Sequence, residues 1–261
     1  MSNIDNYILF RYHIQRFTYH PQRGGIALTS FMLRMLALFS MVMDHAGLAL
    51  FPRIGAFRCA GRLAFPLYCF LLVQGYIHTR DLRAYTRRLL LLAFLSEIPF
   101  DLLIFGHVAS GMEQNVLFSL LLGLAAVYAA HRFEQEPQRA AMNILLLLMA
   151  SMLLWVSYGW LGIALCLCFY KLRHSRVKQA LGILFIEGLY CLSLALSGVE
   201  TSWVLVSLCA MLAAIPVLLY NGKPGLRHKF ISFLFYAAYP LHIIALLIIR
   251  AMRIVPPYML G

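Results

Sequence analysis

The chain has 261 residues, of which 62% are hydrophobic and only 12% charged, and its mean hydropathy is +0.79. That balance excludes an ordinary soluble domain, and apolar windows of about 20 residues recur from Leu28 onward, so the expected fold is an all-α, polytopic integral membrane helical bundle. The net charge of +12 alone would suit nucleic acid, but the basic residues sort by loop, and no nucleic-acid partner is expected.

Residues 1–27 are mixed aromatic and basic ("IDNYILFRYHIQRF") and read as a cytoplasmic or interfacial segment ahead of a membrane domain at 28–261. The first apolar run is too long for a signal-peptide core and lacks a small-residue cleavage site, so it is retained. About nine transmembrane spans are predicted, at roughly 28–51, 59–77, 89–105, 115–130, 141–157, 159–170, 180–197, 202–219 and 230–250. With a cytoplasmic N-terminus, sixteen of the 22 Lys and Arg residues fall on the inner side and four on the outer. This is the asymmetry of the positive-inside rule, and the lipid bilayer is the first partner it implies.

In the first span Asp44 and His45 lie near the outer end, in "MVMDHAG", within a run that otherwise carries one charge, Arg34. Arg62 enters with the second span, Glu97 and Asp101 lie in the third, Asn115 opens the fourth, and Tyr158 stands where the fifth meets the sixth. There "SYGWLG" predicts either a re-entrant turn or a simple hairpin. Glu187 stands alone in the seventh span and reads as structural; in the last, Tyr239–Pro240 breaks the helix just before His242. The six cysteines lie in or beside apolar runs and read as small buried hydrophobes. No zinc spacing, P-loop or dinucleotide fingerprint occurs, so no metal is expected.

At 1.5 Å of rise per residue, His45, Glu97, Asp101 and His242 lie roughly 6 to 12 Å below the outer ends of their spans. Ionisable groups converging at one membrane depth are expensive and mark functional sites. Glu97 and Asp101, at i and i+4, repel unless a cation stands between them, and Arg62 is the candidate. Asp44 points about 100° away from His45, so it does not orient that ring; it is expected to pair with Arg62 or hold another helix. The plainer alternatives are histidines that join helices, carboxylates that are solvated span ends, and Trp155, Tyr158 and Trp160 as an interfacial aromatic belt.

The stretches "MVMDHAG" (41–47), "GRLAFPLYCFLLVQGYIHTRDLRAYTRRLLL" (61–91), "SEIPFDL" (96–102), "NVLFSLLLG" (115–123), "YGWLGI" (158–163), "LYNGKPG" (219–225) and "FYAAYPLHI" (235–243), in this order, resemble the TraX-like family. That family includes the enzyme that acetylates the N-terminus of F-type pilin. The resemblance implies a multi-pass enzyme of the bacterial cytoplasmic (inner) membrane, an acetyl-CoA-dependent acetyltransferase. Such an enzyme moves an acyl group from cytosolic acetyl-CoA to an amino or hydroxyl group of an extracytoplasmic acceptor, a protein N-terminus or a glycan.

Carried onto this chain, the resemblance makes His45 and His242 candidate general bases beside Asp44, with Arg62, Glu97, Asp101, Asn115 and Tyr158 as shell or acceptor residues. Arg62, Asn115 or Tyr158 would steady the oxyanion. His78, Arg80, Arg88, Asn221 and Lys223 would hold the donor phosphates. A proton-coupled transporter and a non-catalytic membrane scaffold are the competing classes. The absence of an internal repeat weighs against the first, and a scaffold gives no account of ionisable residues gathered at one depth.

Overall fold

The structure, a computed structural model, describes residues 27–108, 113–226 and 228–252. Nearly all of the expected 1–27 segment lies outside the described residues. The helices are α1 (Ser30–Ala49), α2 (Gly55–Gly61), α3 (Ala64–His78), α4 (Leu82–Ile104), α5 (Val116–Arg132), α6 (Pro137–Leu153), α7 (Trp160–Lys171), α8 (Arg176–Leu196), α9 (Thr201–Leu208), α10 (Ala214–Leu218) and α11 (Lys229–Ala251), with a 3₁₀ turn at Cys209–Ala213 between α9 and α10. Polar residues at the helix starts take up the free backbone N–H groups there. Thr29 accepts from Met32, Asp81 from Ala84, Asn115 from Leu117, Ser175 from Lys178 and His228 from Phe230.

By length and composition, five helical segments can cross a membrane: Ser30–Ala49, Gly55–His78, Arg176–Leu196, Thr201–Leu218 and Phe230–Ala251. Val116–Arg132, Pro137–Leu153 and Trp160–Lys171 are apolar but shorter. α4 belongs to neither group because it carries Arg83, Arg87, Arg88, Glu97 and Asp101. The second expected span is interrupted at Arg62–Leu63, and the eighth changes helix type twice. The last behaves differently from expectation. α11 runs unbroken through Pro240, since losing one N–H and its bond to the preceding turn bends a helix without ending it when neighbours hold both halves.

α1 is packed against α2, α3 and α11, and α11 also against α4; α3 meets α5 and α7, while α8 lies on α7, α9 and α10. Leu33, Leu67, Phe70, Leu165 and Phe169 are fully buried where these helices meet, and Phe70 is edge-on to both Phe169 and Tyr220. Small residues set the closest approaches. A Cβ on Gly123 would lie 2.6 Å from Cys166 Sγ, which is why α5 and α7 pack so tightly. Outward-facing Phe39, Phe94, Leu95, Leu153, Phe185 and Leu196 are exposed, as suits a lipid-facing surface.

The start of α1 is tied down by the 219–225 loop. Leu28 N–H donates to Leu219 O at 2.8 Å and Asn221 N–H to Leu28 O at 2.9 Å, while the carbonyls of Lys223 and Pro224 accept from Ser30 and Phe31. The Asn221 side chain accepts from Lys223 N–H at 2.8 Å and closes that turn. Gly225 has φ +69°, and a Cβ there would meet Thr29 Oγ1 at 2.5 Å, so the tie requires glycine.

Candidate active site

His45 on α1 and His242 on α11 meet at the α1–α11 contact, with His45 Nδ1 and His242 Nε2 2.7 Å apart. The ring centroids are 4.9 Å apart at 20° between planes. That separation is the bond length plus two ring radii, so the imidazoles meet edge to edge, nearly coplanar, and do not stack face to face. His242 Nδ1 lies 2.7 Å from the Ala238 carbonyl, which can only accept. With both rings neutral, hydrogen-bond accounting then assigns both tautomers. His242 Nδ1–H donates to Ala238, His242 Nε2 accepts from His45 Nδ1–H, and His45 Nε2 keeps a lone pair with no partner among the described residues.

Tyr239, one turn before His242, sets its ring edge-on against both imidazoles, at 6.3 Å from His45 and 5.8 Å from His242. It also lines a cavity of about 580 Å³ between α1, α3, α4, α5 and α11. Met41, one turn before His45, lines the same cavity, which places the histidine pair one helical turn beyond its head. The walls between are Leu71, Leu72, Leu89, Leu92, Leu117 and Leu120, and Arg34 and Arg88 stand at the opposite end with Gly75, Tyr85 and Ser232. The cavity is therefore amphiphilic along its length, basic at one end and apolar in its middle.

Asp44 faces away from this pair, towards α2. Its Oδ2 accepts from Arg58 Nη1 at 2.7 Å, the same nitrogen donates to Asp44 O at 3.1 Å, and both side chains are mostly buried. The expected Asp44–Arg62 pair is thus corrected to Asp44–Arg58. α2 approaches α1 so closely at Gly61, where a Cβ would lie 2.4 Å from Asp44 Oδ1, that the carboxylate meets the cation a turn earlier. Arg62 instead donates to the Tyr158 hydroxyl at 3.1 Å. Tyr158 is held at φ 61°, with its ring 4.0 Å from Phe65 and nearly parallel. The "SYGWLG" stretch is a tied turn: Trp155 O accepts from Gln114 N–H and Ser157 N–H donates to Gln114 O.

Arg62 is likewise not the cation expected to bridge Glu97 and Asp101. Glu97 Oε2 accepts from Asn115, through both its backbone N–H and its side-chain amide, and the Asn115 amide also donates to Ala93 O. With Asn115 Oδ1 capping Leu117, every polar atom of that side chain is committed, which removes it as an oxyanion donor. Asp101 is buried one turn beyond Glu97.

Of the five residues expected to hold donor phosphates, Arg88 alone lines the cavity. His78 is exposed at the end of α3 with Nδ1 on Gln74 O, Arg80 is exposed beyond it, and Asn221 and Lys223 are built into the loop that holds α1. Arg34 lines the cavity with Arg88. Its signal was in the sequence, as the one cation well inside an apolar run. Tyr239 and Arg58 carried weaker ones, a tyrosine three residues before a histidine inside an apolar run and a cation four residues before Arg62. Among the described residues no group of three or more His, Cys, Asp or Glu side chains is placed to hold a metal.

Fold and site together define an integral membrane helical protein with a hydrogen-bonded histidine pair above a basic-ended cavity. The chain belongs to the TraX protein family, which matches residues 30–250. It is similar to a probable fimbrial assembly protein FimC, serogroup H1, of Dichelobacter nodosus, 27% identical over 84% of this chain and 94% of that protein. An uncharacterized protein of Rickettsia prowazekii (strain Madrid E) is 25% identical over 58% of each chain. No solved structure matches.

Proposed function

We propose that this protein is a membrane acyltransferase that takes an acetyl group from acetyl-CoA on the cytoplasmic side and passes it to an amine or hydroxyl outside. The observation that carries the proposal is the histidine pair. Its hydrogen-bond chain ends on a backbone carbonyl, which accepts a bond but cannot relay a proton, so His242 orients and His45 Nε2 is the base. A proton-conducting transporter needs a chain that continues; here it stops at Ala238.

The donor is proposed to lie along the cavity, its phosphates on Arg34 and Arg88 and its thioester at the head. Arg34 precedes His45 by eleven residues on α1, about 16 Å along the axis and on the order of an extended pantetheine arm. The apolar middle would accommodate that arm, and the guanidinium groups the charge. The acceptor's N–H or O–H gives its proton to His45 Nε2 as it attacks the thioester carbonyl, and the departing thiolate takes that proton back. The name of the Dichelobacter relative favours a subunit of a surface fibre as acceptor, in line with pilin acetylation in this family.

The test is donor binding. Acetyl-CoA should raise the melting temperature of the purified protein, and Arg34→Gln and Arg88→Gln should each weaken its affinity by about tenfold or more, as loss of a charge-assisted phosphate contact does. His45→Ala should leave that affinity unchanged. A melting temperature that ignores acetyl-CoA, or charge removal without effect, would reject this placement of the donor.

The proposal also needs nine spans with the N-terminus inside, which sets Arg34 and Arg88 on the cytoplasmic side. In a background freed of the six native cysteines, Ser197→Cys, just beyond α8, is expected to react with an impermeant thiol reagent in intact cells. His174→Cys, just before α8, is expected to stay protected. The reverse pattern would invert the orientation.

A further inference from the structure

We infer that the Tyr239 hydroxyl is the oxyanion donor for acyl transfer, a role that rests on the acyltransferase reading above. Tyr239 is only 4% exposed, yet its hydroxyl has no hydrogen-bond partner among the described residues. A buried phenol normally finds one, because an unpaired O–H is costly away from water. Tyr239 lines the cavity, and its ring packs edge-on against both imidazoles. An unpaired hydroxyl on a side chain packed against the proposed base is a donor for a thioester carbonyl that reaches it from the head of the cavity.

Among the other donors near that layer, Asn115 gives its amide hydrogens to Ala93 and Glu97, while Arg62 and Arg58 use Nη1 on Tyr158 and on Asp44 and each keep a buried Nε–H with no partner among the described residues. Neither arginine lines the cavity, whereas Tyr239 does. In the proposed step the acceptor nitrogen or oxygen bonds to the thioester carbon while its proton moves to His45 Nε2. The carbonyl oxygen becomes negative and takes a hydrogen bond from Tyr239. Collapse restores the carbonyl, breaks the C–S bond, and returns the proton from His45 to the thiolate. The Tyr239 bond strengthens only as charge develops on oxygen, so it favours the transition state over the bound donor.

Tyr239→Phe removes one oxygen and keeps the ring, which makes it the appropriate variant. Release of free thiol from acetyl-CoA by the purified full-length protein is followed, with water and with a peptide bearing a free N-terminal amine as acceptors. Tyr239→Phe is expected to lower kcat by about 100-fold or more, to leave the KM for acetyl-CoA within about twofold, and not to lower the melting temperature. A Tyr239→Phe protein that turns over like wild type overturns the assignment and leaves the acyltransferase reading standing. A parallel fall in kcat and melting temperature also overturns it, by showing a structural hydroxyl. Thiol release by wild type that does not depend on His45 overturns both.

Discussion

His45→Ala, in protein that inserts normally, is expected to lower acyl transfer by about 10²- to 10⁴-fold while acetyl-CoA binding and melting temperature stay close to wild type. The size follows from the proposed role, in which the imidazole takes a proton in the transition state and contributes little to holding the ground-state donor. His242→Ala is expected to do less, because it removes the partner that fixes the His45 tautomer while leaving a base in place. The two changes should not add. The hydrogen bond joining His45 Nδ1 to His242 Nε2 makes the pair one unit, so the double variant should be scarcely worse than His45→Ala alone. Rates from a double-mutant cycle decide the point. Independent, multiplicative losses would end the assignment of base and orienter, and substantial turnover by His45→Ala would move the chemistry to α11.

The second large effect is on stability. Asp44→Ala is expected to cost about 3 kcal/mol, since it leaves the Arg58 guanidinium buried without its counter-charge. The two side chains are 13% and 17% exposed, so solvent screens the pair little. Arg58→Leu should do comparable harm from the other side. Changing both, as Asp44→Leu with Arg58→Met, should recover much of the loss, because two apolar side chains of similar size leave no charge stranded. Arg62→Leu should leave the Asp44–Arg58 bond in place and break the contact with Tyr158 instead. Melting temperatures of the four proteins in one detergent measure this. An Arg62 variant that couples to Asp44 more strongly than the Arg58 variant does would restore the pairing expected from sequence.

Composition and hydropathy determine that this chain is helical and lives in a membrane, because those properties are sums over a window and need no partner. Placing His45 and His242 at similar depth was legible for the same reason, since rise along a helix follows from residue count. Which groups bond to which was not. Asp44 chooses Arg58 over Arg62 through the absence of a side chain at Gly61, which brings α2 onto α1 at that level. Arg88 on α4 faces the cavity because packing sets the rotation of a helix that turns about 100° per residue, while His78 ends α3 and Arg80 and Lys223 lie in loops away from it. Asn221 looked like a ligand and closes a turn; Arg34 looked like an isolated charge and lines the cavity with Arg88. Tyr239 gained its importance only from the company of both imidazoles. Depth is a property of one helix, and the sequence determines it; contact is a property of two helices, and only their packing decides it.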